Sequence, residues 1–233
     1  MSDYAYIGEN LARVRENCER IALRLGISAP TILAVTKSAS SEEVAALVRE
    51  HGQRAIAENR TSLFCERYDL FSDGERPEMH LIGQLQTNKV KYIAGKTALI
   101  HSLDSERLCA EIEKQAAKRD IKMRVLIEIN SGREEAKGGV MPEDAFAFAE
   151  RVLSYPHLTL SGLMTMGPVL AESEAYRPYF RETAAIFEEM KRRGYLSEDA
   201  VLSMGMSASY APAVEEGATV IRVGRGLFLR QGE

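Results

Sequence analysis

The sequence predicts one closed (β/α)8 barrel, a TIM barrel spanning residues 1–233, with an extra helix in front of its first strand. Three observations predict it. Short apolar runs alternate with amphipathic segments along the whole chain, the pattern of parallel strands joined by crossover helices. Eight such strand–helix units can be placed in 233 residues, which is the number and length that closes a barrel. No linker or break in composition remains once they are placed, so a second domain is not expected. A six-stranded open sheet is the next best arrangement, but it would leave two of the runs unassigned.

The extra helix comes first. Ile7, Leu11, Val14, Cys18, Ile21 and Leu25 recur at steps of four and three, forming one apolar stripe on a helix of about six turns. Gly26 ends it, so residues 1–28 form an N-terminal helix packed on the barrel. The first strand, residues 32–35, is a continuous apolar run after Pro30, as expected of a strand buried on both faces. Ser40 and Glu43 form a capping box, so a helix over residues 42–51 begins just beyond Lys37. Further strands are predicted over 54–57, 79–82, 98–101, 123–130, 158–165, 200–205 and 218–223. Between them, Leu63, Phe64, Tyr68 and Phe71 mark a helix, residues 83–89 begin the next, and Asp104 caps one that reaches Arg119. Pro142 suits the first position of another, residues 171–193 form a long helix closed by Gly194, and Pro212 delays the helix after the seventh strand.

Composition narrows the function classes. The chain is 45% hydrophobic and 27% charged, values ordinary for a globular protein. Its net charge of -4, without a Lys/Arg block, gives no electrostatic case for nucleic-acid binding. No apolar run reaches the length of a membrane span. Met1-Ser2-Asp3-Tyr4 leads directly into the amphipathic helix, with no signal peptide. Cys18, Cys65 and Cys109 lie more than forty residues apart in helical patterns; they read as buried thiols of a cytoplasmic protein. No metal-ligand cluster, Walker motif or nucleophile elbow is present. His51, His80, His101 and His157 share no spacing, and His80 and His101 read as strand residues with packed or hydrogen-bonded rings.

In a barrel of this kind, ligands collect where the strands end and the βα loops begin. Lys37 falls there. Taken alone it reads as a solvent-facing loop lysine. The same mouth, however, gathers Asn59, Gly83, Ser102, Asn130, Met164, Ser203, Gly205, Arg222 and Gly224. The seventh and eighth strands leave through Ser203-Met204-Gly205-Met206-Ser207 and Arg222-Val223-Gly224-Arg225-Gly226, where small residues let backbone N–H groups approach phosphate oxygens. A short helix over 224–228 would add its dipole. One lysine opposite a phosphate cradle suggests pyridoxal 5'-phosphate (PLP), whose aldehyde condenses with a lysine amine while its phosphate anchors the far end.

These residues also carry a resemblance. Ala34-Val35-Thr36-Lys37, Glu58-Asn59, His80-Leu81-Ile82-Gly83-Gln84-Leu85-Gln86-Thr87-Asn88-Lys89, Gly162-Leu163-Met164, Leu202-Ser203-Met204-Gly205-Met206-Ser207 and Ile221-Arg222-Val223-Gly224 resemble the signatures of the PLP homeostasis proteins. That family is similar to the N-terminal barrel of alanine racemases. The resemblance implies an intracellular, non-enzymatic protein that holds PLP as a Schiff base and supports vitamin B6 and amino-acid balance, with PLP-dependent apoenzymes as recipients of the cofactor. It makes Lys37 the Schiff-base lysine. Ser207, Gly224 and the backbone at Arg225 would hold the phosphate, Arg222 would face the pyridine nitrogen, and Asn59 and Ser203 would line the cofactor. Lys137 matches a family loop lysine; it reads equally as a secondary PLP contact or as a solvated residue. This chain has Ala57 where the family usually has glycine, and Arg225 where threonine is common. The rival function is a small PLP-dependent amino-acid racemase with Lys37 as one base. Alanine racemases take a tyrosine from a further C-terminal domain across a dimer. With Gln231-Gly232-Glu233 following directly on the eighth unit, neither that domain nor its dimer is expected, so the chain is expected to be a monomer with Tyr210 as the one tyrosine to consider.

Overall fold

The computed structural model describes residues 3–134 and 136–230; the predictions that touch Met1, Ser2, Glu135 and residues 231–233 lie outside them. Eight strands follow one another around a closed barrel: β1 Thr31–Val35, β2 Ala55–Glu58, β3 Glu78–Leu81, β4 Leu99–Leu103, β5 Met123–Ile129, β6 Leu158–Thr165, β7 Val201–Met206 and β8 Val220–Val223. Every pairing is parallel. The closing pair aligns Leu33 with Arg222 and Ala34 with Val223.

Period two divides each strand between two cores. Ile32, Ala34 and Ile56 pack outward against helix residues such as Val44, Leu47 and Phe64. Their neighbours Leu33, Val35, Ala55 and Ala57 form a separate inner cluster with Val220, and Leu99, Leu126 and Met164 form another. The methyl group of Ala57 is part of this inner packing.

The helices are α1 Ala5–Leu25, α2 Ser41–Arg49, α3 Thr61–Asp69, α4 Val90–Ile93, α5 Glu106–Ala117, α6 Ala145–Leu153, α7 Arg177–Arg192, α8 Tyr210–Glu215 and α9 Arg225–Phe228. The predicted capping box opens α2 with both of its hydrogen bonds. The stripe on α1 is buried, and Asn10 fastens that helix to the end of α9 by donating to the carbonyls of Leu227 and Leu229 at 3.0 and 2.9 Å. Pro212 lies in the first turn of α8, as its missing N–H requires.

Four expectations change. The helix predicted from residue 171 starts only at Arg177, after a 3-10 turn over Ser173–Tyr176, because Pro178 is tolerated only in a first turn. Residues 83–86 are not helical; a 3-10 turn begins at Thr87 and runs into α4. Asp104 is not the cap of α5. Ser105 holds that position, and its hydroxyl donates to Asp104 instead. Cys18 and Cys109 are buried, but Cys65 is half-buried beside a surface pocket. None of the described helices is long and apolar enough to cross a membrane.

Candidate functional site

The site begins where β1 stops. Thr36 is buried, and its N–H donates to the carbonyl of Ala57 at 3.1 Å. The capping box of α2 then turns the chain away within a few residues, which leaves Lys37 exposed at the strand end. Lys37 has no hydrogen bond or ion pair among the described residues. An amine in that state keeps its lone pair available once deprotonated.

Beneath it lies a buried carboxyl. The Thr36 hydroxyl donates to Glu58 Oε1 at 2.5 Å, Glu58 Oε2 is buried without a partner, and Arg67 Nε stands 3.7 Å from Oε1. Burial pushes the Glu58 carboxyl up to about 7, against the opposing hydrogen bond from Thr36 and the Arg67 charge.

One strand over, Arg222 is 2% exposed. Its guanidinium donates to Ser203 Oγ at 2.7 Å and to the carbonyl of Thr165 at 2.8 Å. Burial lowers it to about 10, with Glu128 pulling the other way, so it remains a cation at neutral pH. Ser203 is itself fully buried below Arg222.

The β7 and β8 loops meet at Ser207. Its hydroxyl oxygen accepts from the N–H of Gly224 at 3.3 Å and from that of Gly226 at 3.4 Å. A Cβ on Gly224 would lie 3.3 Å from the carbonyl oxygen of Val35, so the glycine lets the turn before α9 close onto the end of β1. Gly205 has φ +86°, and a Cβ there would come 2.5 Å from that of Ala213; only glycine allows β7 to turn into α8 so tightly. The backbone at Arg225 opens α9, with its side chain exposed.

On the other flank, Asn59 lines a pocket of about 550 Å³ with Arg60, Cys65, Gln84, Lys89 and Tyr92. Lys137 is exposed and paired with Glu134. Tyr210, the one tyrosine considered as a second base, has its hydroxyl bonded to Asn17 of α1 at 2.8 Å. Among the described residues no group of His, Cys, Asp and Glu is arranged to hold a metal ion.

Sequence reasoning missed Glu128 and the contact between the two strand histidines. Glu128 is pushed up to about 7 by burial, reinforced by the charge of Asp104 and opposed by Arg222. His80 and His101 are bonded to each other, Nδ1 to Nε2 at 2.9 Å, which leaves His80 Nε2 buried without a hydrogen-bond partner. The available signal was polar residues at inward-facing positions of otherwise apolar strands.

The profile of the alanine racemase N-terminal domain matches residues 10–231. The pyridoxal phosphate homeostasis protein of Aquifex aeolicus is 42% identical over 221 residues, covering 94% of this chain and 93% of that one. The chain belongs to this family. Within it, the structure of PipY from Synechococcus elongatus PCC7942 with PLP bound superposes with a TM-score of 0.78 at 27% identity, over 96% of this chain and 100% of that chain. Alanine racemase from Clostridium difficile 630 shares the fold, with a TM-score of 0.75 at 17% identity; the match spans 96% of this chain but 59% of the racemase. The barrel is thus shared with these proteins, and in this chain its strand ends carry a lysine, a buried arginine and a Ser–Gly–Gly cluster of polar groups.

Proposed function

We propose that this chain binds PLP as a Schiff base on Lys37 and serves PLP homeostasis and amino-acid balance in the cytoplasm without turning over a substrate. The observation that carries the reading is the pairing of an unpartnered Lys37 at the end of β1 with the Ser207 hydroxyl and the Gly224 and Gly226 amides at the end of β8. The two groups suit the two ends of PLP, an aldehyde and a phosphate.

In this reading Lys37 supplies the amine, while Ser207, Gly224 and the backbone at Arg225 bind the phosphate. Asn59 lines the cofactor, and Arg222 faces the pyridine nitrogen. Ser203 acts through Arg222, whose guanidinium it accepts. When bound, PLP supplies a ring that withdraws electrons from the lysine nitrogen. Arg222 stays protonated and can donate to the ring nitrogen but does not give up a proton to it. That weakens the ring as an electron sink and disfavours transaminase-like chemistry. The engagement of Tyr210 with Asn17 supports a carrier over a racemase, because a second base for racemisation would have to leave that bond. A monomer that passes PLP to dependent apoenzymes completes the proposal.

The test is the visible spectrum of the purified protein with added PLP, in the wild type and in Lys37→Ala, followed by borohydride reduction and peptide mapping. The expected result is an imine band only in the wild type, fixed by reduction to the peptide containing Lys37, with no racemisation of alanine or other amino acids. Absence of the band from the wild type would overturn PLP binding. Amino-acid racemisation that disappears in Lys37→Ala would replace the carrier by the enzyme.

A further inference from the structure

A line of polar side chains crosses the apolar interior of the barrel. From the mouth inward, Arg222 Nη1 lies 2.7 Å from Ser203 Oγ, Ser203 Oγ lies 3.0 Å from His101 Nδ1, and His101 Nε2 lies 2.9 Å from His80 Nδ1. His80 Nε2 ends the line, buried and 3.7 Å from Glu78 Oε2. Ser203 and His101 are completely buried, and His80 is 8% exposed. Four strands contribute, and the apolar residues Leu99, Leu126 and Met164 and the cluster of Leu33, Val35 and Ala57 pack in the interior beside it. Two imidazoles buried in such surroundings are costly unless each nitrogen is satisfied.

We propose that His101 and His80 are positioning residues of the PLP site, forming with Ser203 a one-way hydrogen-bond relay that ends beside the Glu78 carboxylate and keeps the Ser203 oxygen turned toward Arg222. This rests on the reading that Arg222 faces the pyridine nitrogen. The polarity follows from the two ends. Arg222 can only donate, so Ser203 Oγ must accept from it. The Ser203 proton then has His101 Nδ1 as its acceptor, which makes His101 the Nε2–H tautomer. His101 Nε2–H donates to His80 Nδ1, and His80 carries its own proton on Nε2, toward the Glu78 carboxylate. In the opposite polarity the bare Nε2 of His80 would face a carboxylate, and His101 and Arg222 would both donate to Ser203. One end of the chain would then be repulsive, and the other would leave the Ser203 proton without this acceptor.

The charges around the relay agree with that direction. Glu78 on β3 has Arg124 of β5 nearby, and Arg222 on β8 has Glu128 of β5 nearby. Burial, together with the charges of His80 and Arg222, holds His101 well below the usual imidazole range, so it stays neutral and keeps one acceptor nitrogen. His80 is the member next to the exposed carboxylate of Glu78. A second proton on His80 would remove the acceptor on which His101 depends, turn His101 to its Nδ1–H tautomer and free the Ser203 hydroxyl proton beside Arg222. Acid at the N-terminal end of the barrel would thereby reach the cofactor end.

Two measurements test this. Nitrogen NMR of the apoprotein labelled with 15N-histidine should show His101 as the neutral Nε2–H tautomer at pH 9. Finding it there as the Nδ1–H tautomer, or doubly protonated, overturns the relay. With PLP added, the wild-type imine band should shift on its acid side, and the folded variants His80→Gln and Glu78→Gln should lose or move that transition. A pH profile identical to wild type in both variants means that the histidines are only packing and overturns the proposal. If the wild type shows no imine band, the PLP reading itself has failed, and the tautomer measurement still decides whether the relay exists.

Discussion

Thr36 and Glu58 are joined by a 2.5 Å hydrogen bond one residue before Lys37, with neither side chain exposed to solvent. The second carboxyl oxygen of Glu58 has no partner, and the nearby Arg67 nitrogen at 3.7 Å is also without a hydrogen bond. A carboxyl in this setting is more comfortable protonated, which is why its value rises from the ordinary 4.5 to about 7.

The stability of the protein should therefore depend on this group in a defined direction. A carboxyl whose value is raised on folding stabilises the fold fully below 4.5 and loses that contribution as the pH rises through about 7. Glu58→Gln keeps an acceptor for Thr36 without the charge. Relative to wild type it should gain roughly 3 kcal/mol between pH 4 and pH 8. Urea unfolding at the two pH values reads the difference, and an equal effect of the substitution at both would contradict the assignment.

Gly83→Ala should disturb the mouth. A Cβ on Gly83 would lie 2.2 Å from the carbonyl oxygen of Asn59, a backbone atom that cannot swing aside. A cost of about 3 kcal/mol or more is expected, since the β2 or β3 strand end must move. Thermal and denaturant unfolding measure it, and a change under 1 kcal/mol would show that the two loops are not held together as described.

Ser207→Ala removes the oxygen that accepts from the Gly224 and Gly226 amides. If these groups bind the phosphate, PLP affinity should fall about tenfold, in line with roughly 1.4 kcal/mol for one lost hydrogen-bonding group. Equilibrium titration of the imine band provides the number. The sharper comparison is pyridoxal, which lacks the phosphate and should bind wild type and Ser207→Ala alike.

Ser40→Ala tests the turn that carries Lys37 to the mouth. The Ser40 hydroxyl accepts from the Glu43 N–H at 3.1 Å, and Glu43 returns the bond to the Ser40 N–H at 2.7 Å. Losing the cap should cost about 1 kcal/mol. A second effect on PLP affinity would indicate that the turn also sets the position of Lys37; Ser40→Asp should recover the stability.

The barrel was legible because it is written in local chemistry. Ile32 to Val35 can only be a strand buried on both faces, and Ser40 with Glu43 marks a helix start without reference to anything distant. Elements that depend on longer-range contacts were misplaced. Residues 83–86 are kept out of a helix by the approach of Gly83 to Asn59, whereas the start of α7 follows from Pro178, a local signal that the helix predicted from residue 171 does not respect. Ser203 and Arg222 were both visible as strand-end polar residues, but nothing nearby in the sequence says that one supports the other.

The sequence by itself determined the repeating strand–helix pattern, the end of the barrel at which polar residues collect, and the choice of Lys37 as the candidate anchor. These follow from periodicity, capping and composition, which act over a few residues. Tertiary structure alone decided that Ser203 is buried beneath Arg222, that Tyr210 is engaged with Asn17, and that His80, His101 and Ser203 join into one line. Those contacts depend on the register and closure of eight strands. Closure brings residues 19 to 193 positions apart within hydrogen-bonding distance, and no short-range pattern encodes which of them will meet.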